Sequence, residues 1–258
     1  MQWTTLFKKE MVESWRNKKL IWLPLVMILL AIMDPISNYY MPQIIEAVGG
    51  LPDGATFELP DFTPAEVVMM SLSQFSTLGV LIVVLVSMGT IAGERKSGIS
   101  ELVLVKPVSY GNYITAKWAA LLLLVWISFF LGMLASWYYI NILYGDLSFG
   151  SFSRIIFFYG LWLMFVVTLS IFFNSMIKTS GLVAFFTIAT IMLMRVVTEV
   201  FNHILEWSPN NLSNYILEML LTESIPSNLI GTAIITIIIT ATLLIVSINT
   251  FKSKELAN

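Results

Sequence analysis

Long apolar runs, broken by short polar connections, organise the whole chain. Six runs stand out, at roughly 20–40, 67–92, 114–140, 154–176, 181–203 and 228–250. Each is near or above the ~20 residues that cross a ~30 Å hydrocarbon core as a helix. The last, LIGTAIITIIITATLLIVSINTF, is the clearest, and Asp34-Pro35 interrupts the outer third of the first. Residues such as Pro24 and Gly89 inside spans are compatible with this reading, because neighbouring helices can cover the backbone they expose. The pattern predicts an all-α integral membrane protein of six transmembrane helices forming one domain over 1–258.

Residues 1–19 follow a different period. Trp3, Leu6, Phe7, Met11 and Trp15 recur every three or four positions, while Lys8, Lys9, Glu10 and Glu13 fall elsewhere around the helix. Such a segment reads as an amphipathic helix lying in the inner membrane interface, with its tryptophans at headgroup depth and lipid as its partner. The NYILEMLL portion of 214–221 predicts a further short helix at the outer surface, too short to span.

Composition agrees with the pattern. Of 258 residues 57% are hydrophobic and 12% charged, against about 25% charged in soluble domains. Charge then orients the chain. Lys8, Lys9, Arg16, Lys18, Lys19, Arg95, Lys96, Lys106, Lys117, Lys178, Lys252 and Lys254 all fall on one side, leaving only Arg154 and Arg195 of 14 basic residues elsewhere. The loops 41–66 and 204–227 hold carboxylates and no Lys or Arg. The positive-inside rule places both termini in the cytoplasm, with the plasma membrane as the expected location.

Candidate chemistry is mostly excluded. There is no cysteine and His203 is the sole histidine, so thiolate chemistry and a His-built metal site are ruled out. GGLPDGAT at 49–56 has the spacing of a phosphate loop but Ala55 where the lysine must stand, and GNYITAKW at 111–118 lacks the second glycine and the final hydroxyl. No catalytic residue, metal ligand or cofactor is therefore expected on this chain, and nothing points to nucleic acid. Within the spans, Arg195 and Glu199 share a helix face at spacing i, i+4 and form either a structural pair reaching the outer interface or part of a substrate path. Asp34 lies towards the outer end of its helix, where water would reach it.

The stretch GERKSGISELVLVKPVSYGNYITAKW at 93–118 is the distinctive connection. Span two runs out through Gly93-Glu94; a short piece with Ile99, Leu102 and Val103 on one face follows; Lys106-Pro107 stops it; Ser109 or Asn112 caps span three. This resembles the permease subunits of ABC-2 type transporters, through Glu94-Arg95-Lys96, Gly98, Leu102, Pro107-Val108-Ser109, Tyr110 and Lys117. Tyr110 stands where arginine is common in that family, and Ala116 where glycine is common. The resemblance implies a short cytoplasmic coupling helix between spans two and three. It also implies an ATP-binding partner subunit that holds ATP and Mg, and a second permease copy or paralogue. By the same resemblance Glu94, Arg95, Ile99, Leu102 and Pro107 would contact the ATPase, with Glu94 also placed to pair with a nearby basic residue. The uniformly apolar spans lean towards export of a hydrophobic, lipid-like or peptide substrate. A stand-alone ion-coupled carrier, a channel, or a non-transporting immunity or sensor protein on the same fold remain alternatives.

Overall fold

A computed structural model describes residues 2–48, 61–98 and 108–256. The phosphate-loop-like 49–56 and the predicted contacts Ile99, Leu102 and Pro107 lie outside the described residues.

The chain opens with α1 (Gln2–Arg16). Lys18 then adopts a left-handed conformation (φ 56°) that turns it into α2 (Lys19–Ala47). This second helix continues through Pro24, Pro35 and Pro42, so the interruption expected at Asp34-Pro35 does not occur. Helix–helix packing covers the backbone that Pro35 exposes: Ser71 Oγ donates to the Ala31 carbonyl, four residues before the proline, at 2.8 Å.

Span two is segmented. It begins at α3 (Pro64–Gln74), where Thr63 and Glu66 form a capping box and Pro64 occupies the first turn. A π-helical turn, Phe75–Gly79, joins α3 to α4 (Val80–Ser87). After a non-helical turn over 88–91 comes the short α5 (Ala92–Lys96). Gly98, at φ 75°, ends it in the region that suits glycine. Span two is thus interrupted twice, where the hydrophobic run alone reads as one helix.

The remaining helices are α6 (Tyr110–Leu143), α7 (Phe149–Met176), α8 (Ser180–Val200), α9 (Leu212–Thr222) and α10 (Ser227–Leu256). Ser109 caps α6 by accepting from the Asn112 N–H, and Ser148 caps α7 through the Ser151 N–H. Six helices among the described residues are long and apolar enough to cross a membrane, counting α3 to α5 as one. The protein is a multi-pass all-α membrane protein. The predicted NYILEMLL helix falls within α9, whose Leu212, Ile216 and Met219 are buried.

At the centre stands α7, the most buried of the spans. It packs against α10, α6, α8, α4 and α9. Where α2 crosses α6 the backbones approach closely: a Cβ on Gly132 would lie 2.8 Å from the Met27 carbonyl oxygen. Small residues at such crossings are how membrane helices gain van der Waals contact.

The candidate functional site at the charged end of the bundle

α1 does not lie free against lipid. It packs along α6, and Trp3 Nε1 donates to Thr115 Oγ1 at 3.1 Å while its ring stacks on Phe7. Trp3, Phe7 and Met11 are half-buried, and of the four predicted anchors only Trp15, 63% exposed, is turned outward. The apolar stripe is present, and α6 covers part of it.

The polar flank of α1 meets the broken end of span two. Glu94 of α5 is buried and accepts three hydrogen bonds: from Lys9 Nζ, from Lys117 Nζ at 2.9 Å, and from Tyr113 Oη at 2.6 Å. Lys117, only 2% exposed, also reaches Glu10 Oε1 at 2.8 Å, and Lys9 bonds Glu10 at 3.0 Å. Two lysines and two carboxylates therefore tie α1, α5 and α6 together. Buried charges of this kind persist only when paired and hydrogen-bonded. Burial alone would push the Lys9 ammonium down, but the carboxylates of Glu94 and Glu10 outweigh it and hold Lys9 well above lysine's ordinary range.

Glu10, Glu13 and Glu94 place carboxylate oxygens within 4.8 Å of one another, close enough to suggest a cation. The lysine ammoniums already stand among them and supply that charge. Beside the cluster lies a cavity of about 230 Å³ lined by Glu13, Lys19, Leu85, Leu121 and Ser180.

Arg95 turns the other way. Its Nη1 donates to the Ser175 carbonyl at 3.2 Å and its guanidinium lies 5.4 Å from the Phe251 ring centre. Of the five residues predicted to touch a partner, the two that are described, Glu94 and Arg95, are 8% and 7% exposed. They fasten α5 to its own bundle and present little surface outward, because each charge needs the neighbours that bury it.

The turn over 88–91 is held by one side chain from α7. Asn174 Oδ1 accepts from the Ile91 and Ala92 N–H groups at 3.2 and 3.0 Å, and its Nδ2 donates to the Ser87 and Ser170 carbonyls at 3.1 and 2.9 Å. All four hydrogen-bonding positions of the amide are used on backbone. Ser87 and Ser170 hydroxyls add a 2.6 Å contact. The π-turn has a matching brace, Tyr159 of α7, whose Oη lies 2.9 Å from Ser76 Oγ.

Elsewhere the predicted polar residues separate. Arg195 and Glu199 are both exposed near the end of α8, with no ion pair between them among the described residues. Asp34 is not at a helix end: α2 continues to Ala47, and Gln74 Nε2 donates to both Asp34 carboxylate oxygens at 3.2 and 3.1 Å. Of the cluster, Glu94 and Lys117 carried the resemblance. Lys9 and Glu10 gave only a helical-period signal, and Asn174 gave none.

Six apolar spans, one of them broken and knotted by charge at the end where the basic residues gather, define a polytopic membrane protein of the transporter type. The chain belongs to the ABC-2 family of transporter proteins, which it matches over residues 4–256. It is also similar to the uncharacterized transmembrane protein YxlG of Bacillus subtilis (strain 168), with 36% identity over 179 residues, 69% of either chain.

Proposed function

We propose that this chain is the membrane subunit of an ATP-driven exporter. In this reading two permeases, identical or paralogous, enclose a path, and separate ATP-binding subunits, holding ATP and Mg, dock beneath them. The chain itself hydrolyses nothing. The basic end faces the cytoplasm, both termini with it, in the plasma membrane, and a hydrophobic, lipid-like or peptide cargo moves outward.

The observation that carries the reading is the Glu94 cluster. It lies on α5, within the stretch from Glu94 to Pro107 that the family resemblance assigns to ATPase contact. A push received there cannot be absorbed by α5 alone. Glu94 passes it to α6 through Lys117 and Tyr113 and to α1 through Lys9, while Asn174 passes it to the central α7. The break over 88–91 lets this unit tilt against α4 as a rigid body, in the manner of a hinge. Glu94 and Arg95 then serve as positioning residues, and contact falls to Ile99, Leu102 and Pro107.

Gentle purification of the tagged chain from its native cell tests this. The expected result is a co-purifying subunit with a nucleotide-binding loop, lost on Leu102→Arg. A Glu94→Gln complex should assemble but transmit poorly, retaining ATP hydrolysis with export reduced. Recovery of the chain alone, under conditions that hold known complexes together, would overturn the reading.

A further inference from the structure

Asp34 poses a problem that the exporter reading leaves unsolved. It lies fifteen positions along α2 from Lys19, or about 22 Å at ~1.5 Å per residue. Its partner Gln74 lies ten positions along α3 from Pro64, or about 15 Å from the opposite end. Both measures place the pair on interior turns of their helices rather than at the ends.

A carboxylate at such depth is costly, on the order of 2.5–3.5 kcal/mol on insertion scales. It offers about four acceptor sites, and Gln74 Nε2 is its hydrogen-bond donor among the described residues. No ion pair relieves it there: Lys117 and Arg95 are committed to the charged end, and Arg195 lies near the end of α8. Nor is the residue sealed in the core, since Asp34 and Gln74 are only half-buried.

The surroundings share this openness. Ser73 and Thr77, one residue before and three after Gln74, are exposed, and Thr77 lies within the π-turn Phe75–Gly79. Such turns recur at functional positions in membrane and soluble helices alike. On the same two spans Leu29, Met33, Leu81 and Leu85 are exposed. An unneutralised acid, a fixed amide donor and flanking apolar side chains make a surface complementary to a bulky apolar group that carries positive charge.

We propose that Asp34, oriented by Gln74, is the recognition point for a lipophilic cation, so that the cargo class is hydrophobic molecules bearing an ammonium, phosphonium or guanidinium centre. The inference rests on the exporter reading for the word cargo, but the binding itself does not require it. Asp34 supplies the charge; Gln74 Nε2, within reach of both oxygens, fixes the carboxylate.

The test uses the full-length chain in lipid nanodiscs with tritiated tetraphenylphosphonium as the probe, counts in empty nanodiscs being subtracted. Tetraphenylborate, alike in size and shape but opposite in charge, serves as competitor. The wild-type chain should bind the cation saturably, and tetraphenylborate should not displace it. Asp34→Asn, which can keep the Gln74 hydrogen bond, should weaken binding about tenfold or more, as loss of a partly screened charge pair does. Asp34→Glu should retain most of it. Equal binding by Asp34→Asn with an unchanged melting temperature would overturn the proposal, as would absence of saturable wild-type binding or equal competition by tetraphenylborate. The two readings fail separately: cation binding without a recoverable ATPase subunit sinks the exporter, whereas an active complex with charge-blind binding sinks only the role of Asp34.

Discussion

Replacing Lys117 by methionine is the sharpest probe of the charged knot. The side chain is 2% exposed and its ammonium sits 2.8 Å from Glu10 and 2.9 Å from Glu94. Methionine keeps most of the volume, so packing changes little and the loss is electrostatic. Removing one partner of a buried pair costs about 3–5 kcal/mol because the other charge is stranded. Lys9 still touches both carboxylates, which points to the lower end, about 3 kcal/mol. For a chain of this size each ~1 kcal/mol moves the melting temperature about 2–4 °C, so a fall of about 6–12 °C is expected by scanning fluorimetry in detergent. Because Glu10 would lose its tie to α6, limited trypsin digestion should also cut α1 faster, at Lys8, Lys9 and Arg16. Pairing the change with Glu94→Gln isolates the interaction: the double variant should lose less than the sum of the singles by about 0.5–3 kcal/mol. A Lys117→Met chain that melts within about 2 °C of wild type, or strict additivity in the double variant, would refute the assignment of this cluster as the tie between α1, α5 and α6.

Three further outcomes follow from the same geometry. Asn174→Leu strands the Ile91 and Ala92 N–H groups, each costing about 1–3 kcal/mol when buried and unpaired, and should lower the melting temperature more than any other single hydrogen-bond deletion tried; no shift would mean that water replaces the amide. Gly132→Val puts a side chain 2.8 Å from the Met27 carbonyl, and about 1–3 kcal/mol of overpacking should appear as lost monodisperse peak in fluorescence-detected gel filtration, with Gly132→Ala milder. Tyr159→Phe removes the bond to Ser76 and the longer one to the Leu72 carbonyl, so a loss of about 0.5–1.5 kcal/mol is expected, with the elution profile unchanged; a larger collapse would show that the π-turn depends on that hydroxyl.

Span two is interrupted twice, and α7 supplies a polar brace at each interruption, Tyr159 at the π-turn and Asn174 at the 88–91 turn. Each brace satisfies polar groups that lipid could not. Glu94 adds a charged tie from α5 to α1 and α6.

The six spans, a short helix at 214–221, a cap at Ser109 or Asn112 and the gathering of basic residues at one end are legible in the chain before it folds. Each of these is local: hydropathy, helical period, capping and loop charge are properties of neighbouring residues and survive any rearrangement of the helices. Tertiary structure alone decided which charges meet. Lys9 and Glu94 are 85 positions apart, and Lys117 and Glu10 are 107 apart, so no periodicity relates them. It also set part of the apolar stripe of α1 against α6, left Arg195 and Glu199 without an ion pair between them despite their favourable spacing, and placed Asp34 in the middle of a helix instead of at its end. Span two reads as one apolar run because its two interruptions are braced by Asn174 and Tyr159, side chains of another helix that become partners only once the bundle has packed.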